Sequence, residues 1–281
     1  MDRRRVEEQF FKTLMIISTS IIVGSLLAIL VVVVLRGGPA LSIEMLTQTP
    51  QGGYYLGKGG GILNAIVGSL YLAIGATVLS LSIALPVAFY LQEYAGESFK
   101  NYVRLSLDVL WGVPSIVYGA FGFMIMLYLG LRACLLGGII ALTLLMLPIM
   151  TRAIDEVMRL VPFELRESSY GLGFTKLEVV SKVLSRQTLP GIITAVLLAF
   201  GRGIGDAASL LFTAGYTDHI PRSLFDPVAS LPLAVFFQLG TPYPEVQEKA
   251  YASAVILLVI ILLISIGTRV ITKKWSKFVI K

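Results

Sequence analysis

The chain has 281 residues, of which 56% are hydrophobic and only 14% are charged, with a formal net charge of +6 and a single cysteine, Cys134. A soluble domain carries about 25% charged residues, so this composition excludes an ordinary soluble protein and indicates a membrane protein. No basic patch interleaved with aromatic residues lies on a polar face, which argues against nucleic-acid binding. One cysteine excludes an internal disulfide.

Six apolar runs along the chain approach the roughly 20 residues that a membrane-spanning helix needs. The first covers 14–35 after a basic stretch, and its length favours an uncleaved helix over a signal peptide. Residues 36–60 are polar and glycine-rich and predict a loop. The other five predicted spans lie within 62–91 and at about 113–131, 135–150, 191–214 and 251–270. These runs predict an all-α bundle.

Two polar segments separate the later spans. The first covers 151–189, and the second covers 215–249 with a short apolar piece at 231–239. That piece is too short to cross a bilayer, so we predict an interfacial or re-entrant segment. Two stripes of small residues spaced by four predict packing faces, since small side chains let helices approach closely in lipid. They are Ala65, Ser69, Ala73 and Thr77, and Ala195, Ala199, Gly203 and Ala207.

Lysine and arginine are distributed unequally between the two sets of flanks. One set contains both termini and the segment 151–189, and it is rich in basic residues. The opposite set contains only Arg36, Lys58, Arg132, Arg222 and Lys249. Basic residues concentrate on the cytoplasmic side, so we predict that both termini and residues 151–189 are cytoplasmic.

The fifth predicted span contains two charged residues, Arg202 and Asp206. A charge at the bilayer centre costs roughly 2.5–3.5 kcal/mol on insertion scales and usually faces the bundle interior. Four residues apart, the two side chains lie on one face of a helix and can pair, and Ser209 and Thr213 continue that face. The pattern favours a substrate pathway, and a structural ion pair is the alternative.

Intrinsic catalysis is not expected. The stretch 52–58 reads G-G-Y-Y-L-G-K and is close to a phosphate-binding loop, but Gly59 stands where Ser or Thr should bind magnesium, so we predict a chance match. The only histidine is His219, and neither a metal-binding motif nor a nucleophile–base pair is evident. If the protein uses energy, that energy must therefore come from a partner or an ion gradient.

Residues 163–190 predict a helix that breaks at Gly171 and Gly173 and then resumes, as in a helical hairpin with glycine caps. Within it, Glu167-Ser168-Ser169 with Gly173 resembles the E-A-A-x-x-x-G loop of ABC importer permeases. The resemblance implies a short coupling helix that docks on an ATPase subunit. The implied ATPase-coupling residues are Arg166, Glu167, Ser168, Ser169, Tyr170 and Gly173.

Further stretches resemble the PstA-type permeases of the bacterial phosphate importer, from about residue 41 onward. They are G-G-I-L-N-A-I-V-G-S (60–69), G-V-P-S-I-V-Y-G (112–119), L-V-P-F-E-L-R-E (160–167) and G-R-G-I-G-D-A-A-S-L-L-F-T-A (201–214). The chain departs from the family pattern where Asp206 replaces Glu, Ala207 replaces Thr and Ser209 replaces Pro. Ser168 and Ser169 also replace the two alanines of the coupling motif.

The resemblance implies a type I ABC importer permease in the bacterial inner membrane, a single domain with an accessory first span (14–35) and a core at about 62–270. Its implied partners are a PstC-type permease, two PstB-type ATPases and a PstS-type phosphate-binding protein, with ATP and magnesium held by the ATPase and no cofactor or metal on this chain. The implied pathway residues are Arg202, Asp206, Ser209, Thr213, Asn64 and Ser115. The alternatives are a permease for sulfate or molybdate, and a gated channel or gradient-driven carrier.

Overall fold

A computed structural model describes residues 3–51 and 59–275, and its regular elements are helices. The phosphate-loop-like stretch 52–58, with Lys58, lies outside the described residues. The helices in chain order are α1 (Arg3–Gly37), α2 (Ile43–Thr47), α3 (Leu63–Glu93), α4 (Glu97–Trp111), α5 (Ser115–Tyr128), α6 (Leu135–Arg159), α7 (Phe163–Gly171), α8 (Lys176–Ile204), α9 (Leu231–Leu239) and α10 (Pro244–Trp275).

Five helices in the described part are long and apolar enough to cross a membrane, namely α1, α3, α6, α8 and α10. The predicted third span at 113–131 is different, because α5 has only 14 residues, which is about 21 Å at 1.5 Å per residue. It follows α4 after a bend of 99°. A sixth span therefore exists only if the bent pair α4–α5 counts as one.

The polar segment predicted at 151–189 is shorter than expected. Helix α6 continues to Arg159, and α8 already begins at Lys176 with a π-helical stretch at Val179–Leu184. Only residues 160–175, which include α7, separate the two long helices. The charged residues at 151–159 belong to a long helix because α4 pairs with Arg152 and Asp155, and Glu156 pairs with arginines of the same helix.

Each of the two segments 36–60 and 215–249 contains a short helix. The predicted loop at 36–60 contains α2, and Ser42 caps it by accepting a hydrogen bond from the Met45 backbone N–H. The short apolar piece 231–239 forms a separate helix, α9, which is not long enough to span a membrane, as predicted, and Ser230 caps it in the same way. Such side-chain caps satisfy N–H groups that a helix start leaves without partners. The first turn of α9 is buried, so this helix is packed within the protein.

The core lies mainly between α3 and α6, which share the most extensive helix contact in the described part. Small side chains on α3, such as Ala76 and Ala84, pack there against Met146 and Met150 of α6. The predicted small-residue stripes are confirmed as packing faces on α3 and, as far as Gly203, on α8: Ala73 and Ala199 are fully buried. Ala207 lies beyond the end of α8 and does not belong to its stripe. A Cβ at Gly203 would lie 2.6 Å from Met146 Sδ, so glycine permits this close approach.

The cysteine has a structural position at the start of α6. Cys134 is buried, and its Sγ accepts a hydrogen bond from the Gly137 backbone N–H at 3.4 Å. The thiol therefore occupies the place that Ser or Asp takes at other helix starts.

Candidate functional site

The helix α7 ends in a turn whose left-handed backbone favours glycine. Gly173 has φ +83°, its N–H donates to Tyr170 O at 2.9 Å, and the Phe174 N–H donates to Ser169 O at 3.1 Å. This pair of hydrogen bonds is a Schellman motif, in which the residue after the helix takes the left-handed conformation. The prediction that Gly173 allows a tight turn after this helix is confirmed.

One face of α7 binds the rest of the bundle through Glu93, the last residue of α3. Arg166 Nη1 donates to Glu93 Oε1 at 3.1 Å, and the Tyr170 hydroxyl donates to Glu93 Oε2. Arg166 and Tyr170 are four residues apart, so they lie on one face of α7. Burial and the bond to Glu93 raise the pKa of Tyr170 to about 12, which keeps the phenol protonated and donating.

The other face of α7 is open. Glu167 and Ser168 are exposed, and Phe163 at the first position of the helix is 70% exposed. Ser169 differs from them, because it is buried and its Oγ donates to Leu165 O at 2.6 Å. The six predicted coupling residues thus divide into three kinds. Arg166 and Tyr170 are bonded to Glu93, although Tyr170 is 39% exposed, and Ser169 is buried. Glu167 and Ser168 are exposed, and Gly173 forms the turn.

The predicted pairing of Arg202 with Asp206 is wrong. Helix α8 ends at Ile204, with Gly205 as its C-cap, so the two residues do not share a helix face. Asp206 Oδ2 instead accepts hydrogen bonds from the Ser209 N–H at 2.8 Å and from the Ser209 hydroxyl. Asp206 therefore caps the turns that follow α8, and within residues 3–51 and 59–275 Arg202 forms no ion pair with it.

The segment 205–214 packs inside the bundle against glycine faces of two helices. Ser209 and Thr213 are fully buried, and the Thr213 hydroxyl donates to Ser209 O at 2.9 Å. A Cβ on Gly119 of α5 would lie 2.7 Å from Ser209 O, and one on Gly137 of α6 would lie 3.0 Å from Thr213 O. Three of the predicted pathway residues, Asp206, Ser209 and Thr213, are therefore bound to one another and enclosed by protein.

Arg202 occupies a different environment. Its side chain is exposed and lines a groove of about 620 Å³ between α8 and α10. Most of the lining is apolar, and a second guanidinium, that of Arg269, lines the same groove. A guanidinium in an open groove can bind an anion through a planar fork of N–H donors.

The remaining predicted pathway residues lie apart from this groove. Asn64, in the first turn of α3, is buried, and its Nδ2 donates to Thr217 O at 2.6 Å. Ser115 is the first residue of α5, directly after the bend, and is half-buried. The structure thus brings Asp206, Ser209 and Thr213 together and places Arg202, Asn64 and Ser115 separately.

The comparisons with known proteins agree with this architecture. A family model described as a binding-protein-dependent transport system inner membrane component matches residues 82–277. The chain belongs to this family. It is accordingly a multi-pass membrane protein of the permease type.

Individual relatives extend the similarity beyond the matched region. The permease is 34% identical over 237 residues to the phosphate transport system permease protein PstA of Xylella fastidiosa, covering 83% of this chain and 81% of the relative. It is 35% identical over 251 residues to PstA of Yersinia pestis, covering 89% and 84%. Among solved structures, a bacterial alginate ABC transporter in complex with a pentasaccharide-bound periplasmic protein matches with a TM-score of 0.67 at 12% identity, covering 99% of both chains.

The permease also contains a buried polar cluster that the sequence did not reveal. Asp155 of α6 is fully buried, and its carboxylate accepts from Arg104 Nε of α4 at 2.8 Å and from Gln92 Nε2 of α3 at 2.7 Å. The sequence signal was the polar pair Gln92-Glu93, directly after the second predicted span, and the charged residues Arg104 and Asp108 one turn apart before the third.

Proposed function

We propose that this permease forms half of the pathway of an ATP-driven importer of inorganic phosphate. The observation that carries the proposal is the similarity to permeases named for phosphate transport, which extends over more than four-fifths of each chain. The open outer face of α7 supports the coupling part, because it offers a partner the exposed side chains Glu167, Ser168 and Phe163.

In this proposal Arg202 is the anion contact. Its guanidinium is exposed in the groove, whereas the nearby carboxylate of Asp206 is turned to Ser209. Because Asp206 does not hold Arg202, the guanidinium can form two parallel hydrogen bonds with a phosphate. Asp206, Ser209 and Thr213 then support the pathway by fixing the segment that follows α8.

The partners proposed are a second permease of the PstC type, two ATPases of the PstB type and a PstS-type phosphate-binding protein. ATP and magnesium are bound by the ATPase, so this chain is a non-catalytic subunit without a cofactor of its own. The excess of Lys and Arg on one set of flanks supports an orientation with both termini and α7 on the cytoplasmic side.

The test is uptake of radiolabelled phosphate by the reconstituted complex, normalised to the amount of inserted permease. Arg202→Lys and Arg202→Gln should each lower uptake by tenfold or more without changing the amount of inserted complex, because a point charge or an amide does not reproduce the planar fork. Arg186→Gln is the matched control, since Arg186 is an exposed arginine of the same helix and its loss should leave uptake unchanged.

Other outcomes decide between the alternatives. Uptake of sulfate or molybdate in preference to phosphate would assign a different oxyanion. Uptake that persists without the ATPase would indicate a channel or a gradient-driven carrier. Full uptake by Arg202→Gln would remove Arg202 from the pathway.

A further inference from the structure

The carboxylate of Glu93 links α7 to α3, because each of its two oxygens accepts a hydrogen bond from a side chain of α7. Arg166 Nη1 binds one oxygen of Glu93 and the Tyr170 hydroxyl binds the other. The Glu93 side chain is 6% exposed and that of Arg166 is 14% exposed, so water screens this pair poorly. Hydrogen bonds to an ionised group are shorter and stronger than neutral ones, and α7 is therefore held firmly to the end of α3.

Apolar contacts reinforce the same junction. Phe89, one turn before Glu93 on α3, packs with Leu165 of α7 and Phe174 of the following turn around the buried side chains Val179 and Val180. Helix α3 is thus fixed to both arms of the hairpin that α7 begins. A displacement of α7 must move α3 or break these contacts.

A second set of bonds holds the end of α3 against α6 and α4. Arg166 Nη2 donates to Gln92 Oε1 at 3.2 Å and to Met158 O at 3.0 Å. Gln92 Nε2 donates in turn to Asp155 Oδ1, and Arg104 binds the same carboxylate. Because these groups lie in a low-dielectric interior, each bond strengthens the others. One connected network therefore joins α7, α3, α6 and α4.

The opposite part of α3 reaches the neighbourhood of Arg202. Ala73 of α3 packs in one buried cluster with Phe200 and Ile204 of α8, and these two residues flank Arg202 in sequence. Ala73 and Glu93 are twenty residues apart on one continuous helix, which corresponds to about 30 Å. Helix α3, which contains Pro86 between these two positions, is thus a continuous link between the coupling helix and the groove.

We propose that Glu93 is a positioning residue for transport: through its bonds to Arg166 and Tyr170, α7 moves α3, and α3 moves the α8 segment that carries Arg202. The inference rests on the proposed function, because it assumes that an ATPase displaces α7. Glu93 touches neither the ATP nor the anion, and it acts through α3.

The experiment measures phosphate uptake and ATP hydrolysis on the same proteoliposomes, which contain the full complex with its binding protein. Glu93→Gln keeps the size of the side chain and removes the charge that binds Arg166. We expect the number of phosphates carried per ATP to fall at least fivefold, while ATP hydrolysis stays within twofold of the unchanged complex. Tyr170→Phe removes one of the two bonds and should lower the ratio about twofold.

The control is Glu97→Gln. Glu97 lies four residues beyond Glu93 and forms an ion pair of similar length, 2.8 Å, but its side chain is 77% exposed and its partner Lys100 is on its own helix α4. It therefore tests the removal of a carboxylate charge from this end of the bundle where that carboxylate is not bonded to α7. The control should leave the ratio unchanged. The double variant Glu93→Gln with Arg166→Gln should have a ratio no lower than the worse single variant, because both changes remove the same interaction.

Two results would overturn the inference. If Glu93→Gln lowers uptake, hydrolysis and the amount of complex in parallel, the ratio is constant and Glu93 is only a structural residue. If the ratio and both rates are unchanged, α7 does not act through Glu93. A wild-type complex that carries another oxyanion would contradict the phosphate assignment alone, and the ratio is then measured with that oxyanion.

Discussion

Asp155 and Asp206 are both buried carboxylates of this permease, yet their surroundings differ in kind. Asp155, near α7, is fully buried and is bound by Arg104 Nε at 2.8 Å and Arg152 Nη1 at 3.5 Å. Asp206, just after α8, is 7% exposed and accepts from an N–H and a hydroxyl of Ser209. Full cations stabilise the first carboxylate, and dipoles stabilise the second.

The difference separates Arg202, which is exposed, from Arg104 and Arg152, which are bound to carboxylates. Arg104 and Arg152 are bound to carboxylates at the α7 end of the bundle. In the middle of the bundle, Asp206 needs no cation, because two aligned donors satisfy it, and Arg202 is left exposed in its groove. Strong pairing therefore joins the helices in one region, and in the other region its absence leaves Arg202 exposed, as the proposed anion contact requires.

The largest expected effect is that of removing the Asp155 carboxylate. Asp155→Ala leaves Arg104, whose side chain is only 14% exposed, without its partner, and breaking a buried ion pair in this way costs about 3–5 kcal/mol. Asp108→Ala removes an ion-pair partner of Arg152 that is 50% exposed, so it should cost about 0–1 kcal/mol. The measurement is the thermal unfolding midpoint of the purified complex. Equal losses for the two variants would contradict the distinction between buried and exposed partners.

The second effect concerns two glycines, one from each region. Gly119→Ala places a methyl group 2.7 Å from Ser209 O, a backbone atom that cannot swing away, and such overpacking costs about 1–3 kcal/mol. Gly173→Ala meets no atom within 4 Å but must adopt φ +83°, which costs about 1–2 kcal/mol.

Asparagine separates the two causes. Gly173→Asn should recover most of the loss seen for Gly173→Ala, since Asn tolerates the left-handed conformation. Gly119→Asn should be worse than Gly119→Ala, because a larger side chain meets the same backbone. Unfolding midpoints of the four variants give the comparison, and the same order at both positions would show that the causes are not distinct.

The third effect is that of the Asp206 cap. Asp206→Ala should cost about 0.5–2 kcal/mol, as loss of a capping side chain does. Asp206→Asn should cost less, because its amide oxygen can still accept from the Ser209 N–H. The unfolding midpoint is again the measurement. If Asn is as harmful as Ala, the negative charge of Asp206 matters and the description of the site by dipoles is wrong.

The smallest expected effect is the interaction energy between Arg202 and Asp206, which should be close to zero. Without a direct contact, the decreases in the free energy of unfolding caused by Arg202→Leu and by Asp206→Leu should add within about 0.5 kcal/mol in the double variant. An ion pair would behave differently, since apolar replacement of both partners often restores stability. A double variant that is more stable than Asp206→Leu alone would revive the pairing that the sequence suggested.

The long spans were predictable because their hydrophobicity is independent of context. Helices α1, α3 and α10 correspond to the apolar runs at 14–35, 62–91 and 251–270. The polar extension of α6 was not predictable, because hydropathy counts Asp155 as a cost and cannot include the arginine that neutralises it. The same reasoning missed α4, whose charged residues suggested a solvated flank between two spans.

The end of α8 was missed for a different reason. The apolar run at 191–214 has no break in hydropathy, although Gly201, Gly203 and Gly205 weaken a helix and Asp206 is a good capping residue. The hairpin formed by α7 and the start of α8 was predicted more fully, since its turn depends on the conformation of one residue, Gly173. The partners of Arg166 and Tyr170 were not, because Glu93 is distant in sequence and only the fold brings it near.

The buried position of Cys134 at the start of α6 has a practical consequence for probing this permease. As the chain contains no other cysteine and this one is buried, a thiol-reactive fluorophore should leave the unmodified protein unlabelled. A cysteine placed at an exposed position such as Lys176 or His219 then becomes the sole reactive thiol, without replacement of Cys134. With a reagent that does not cross lipid, applied to intact cells, label at position 219 and none at position 176 is the pattern expected for α7 inside the cell.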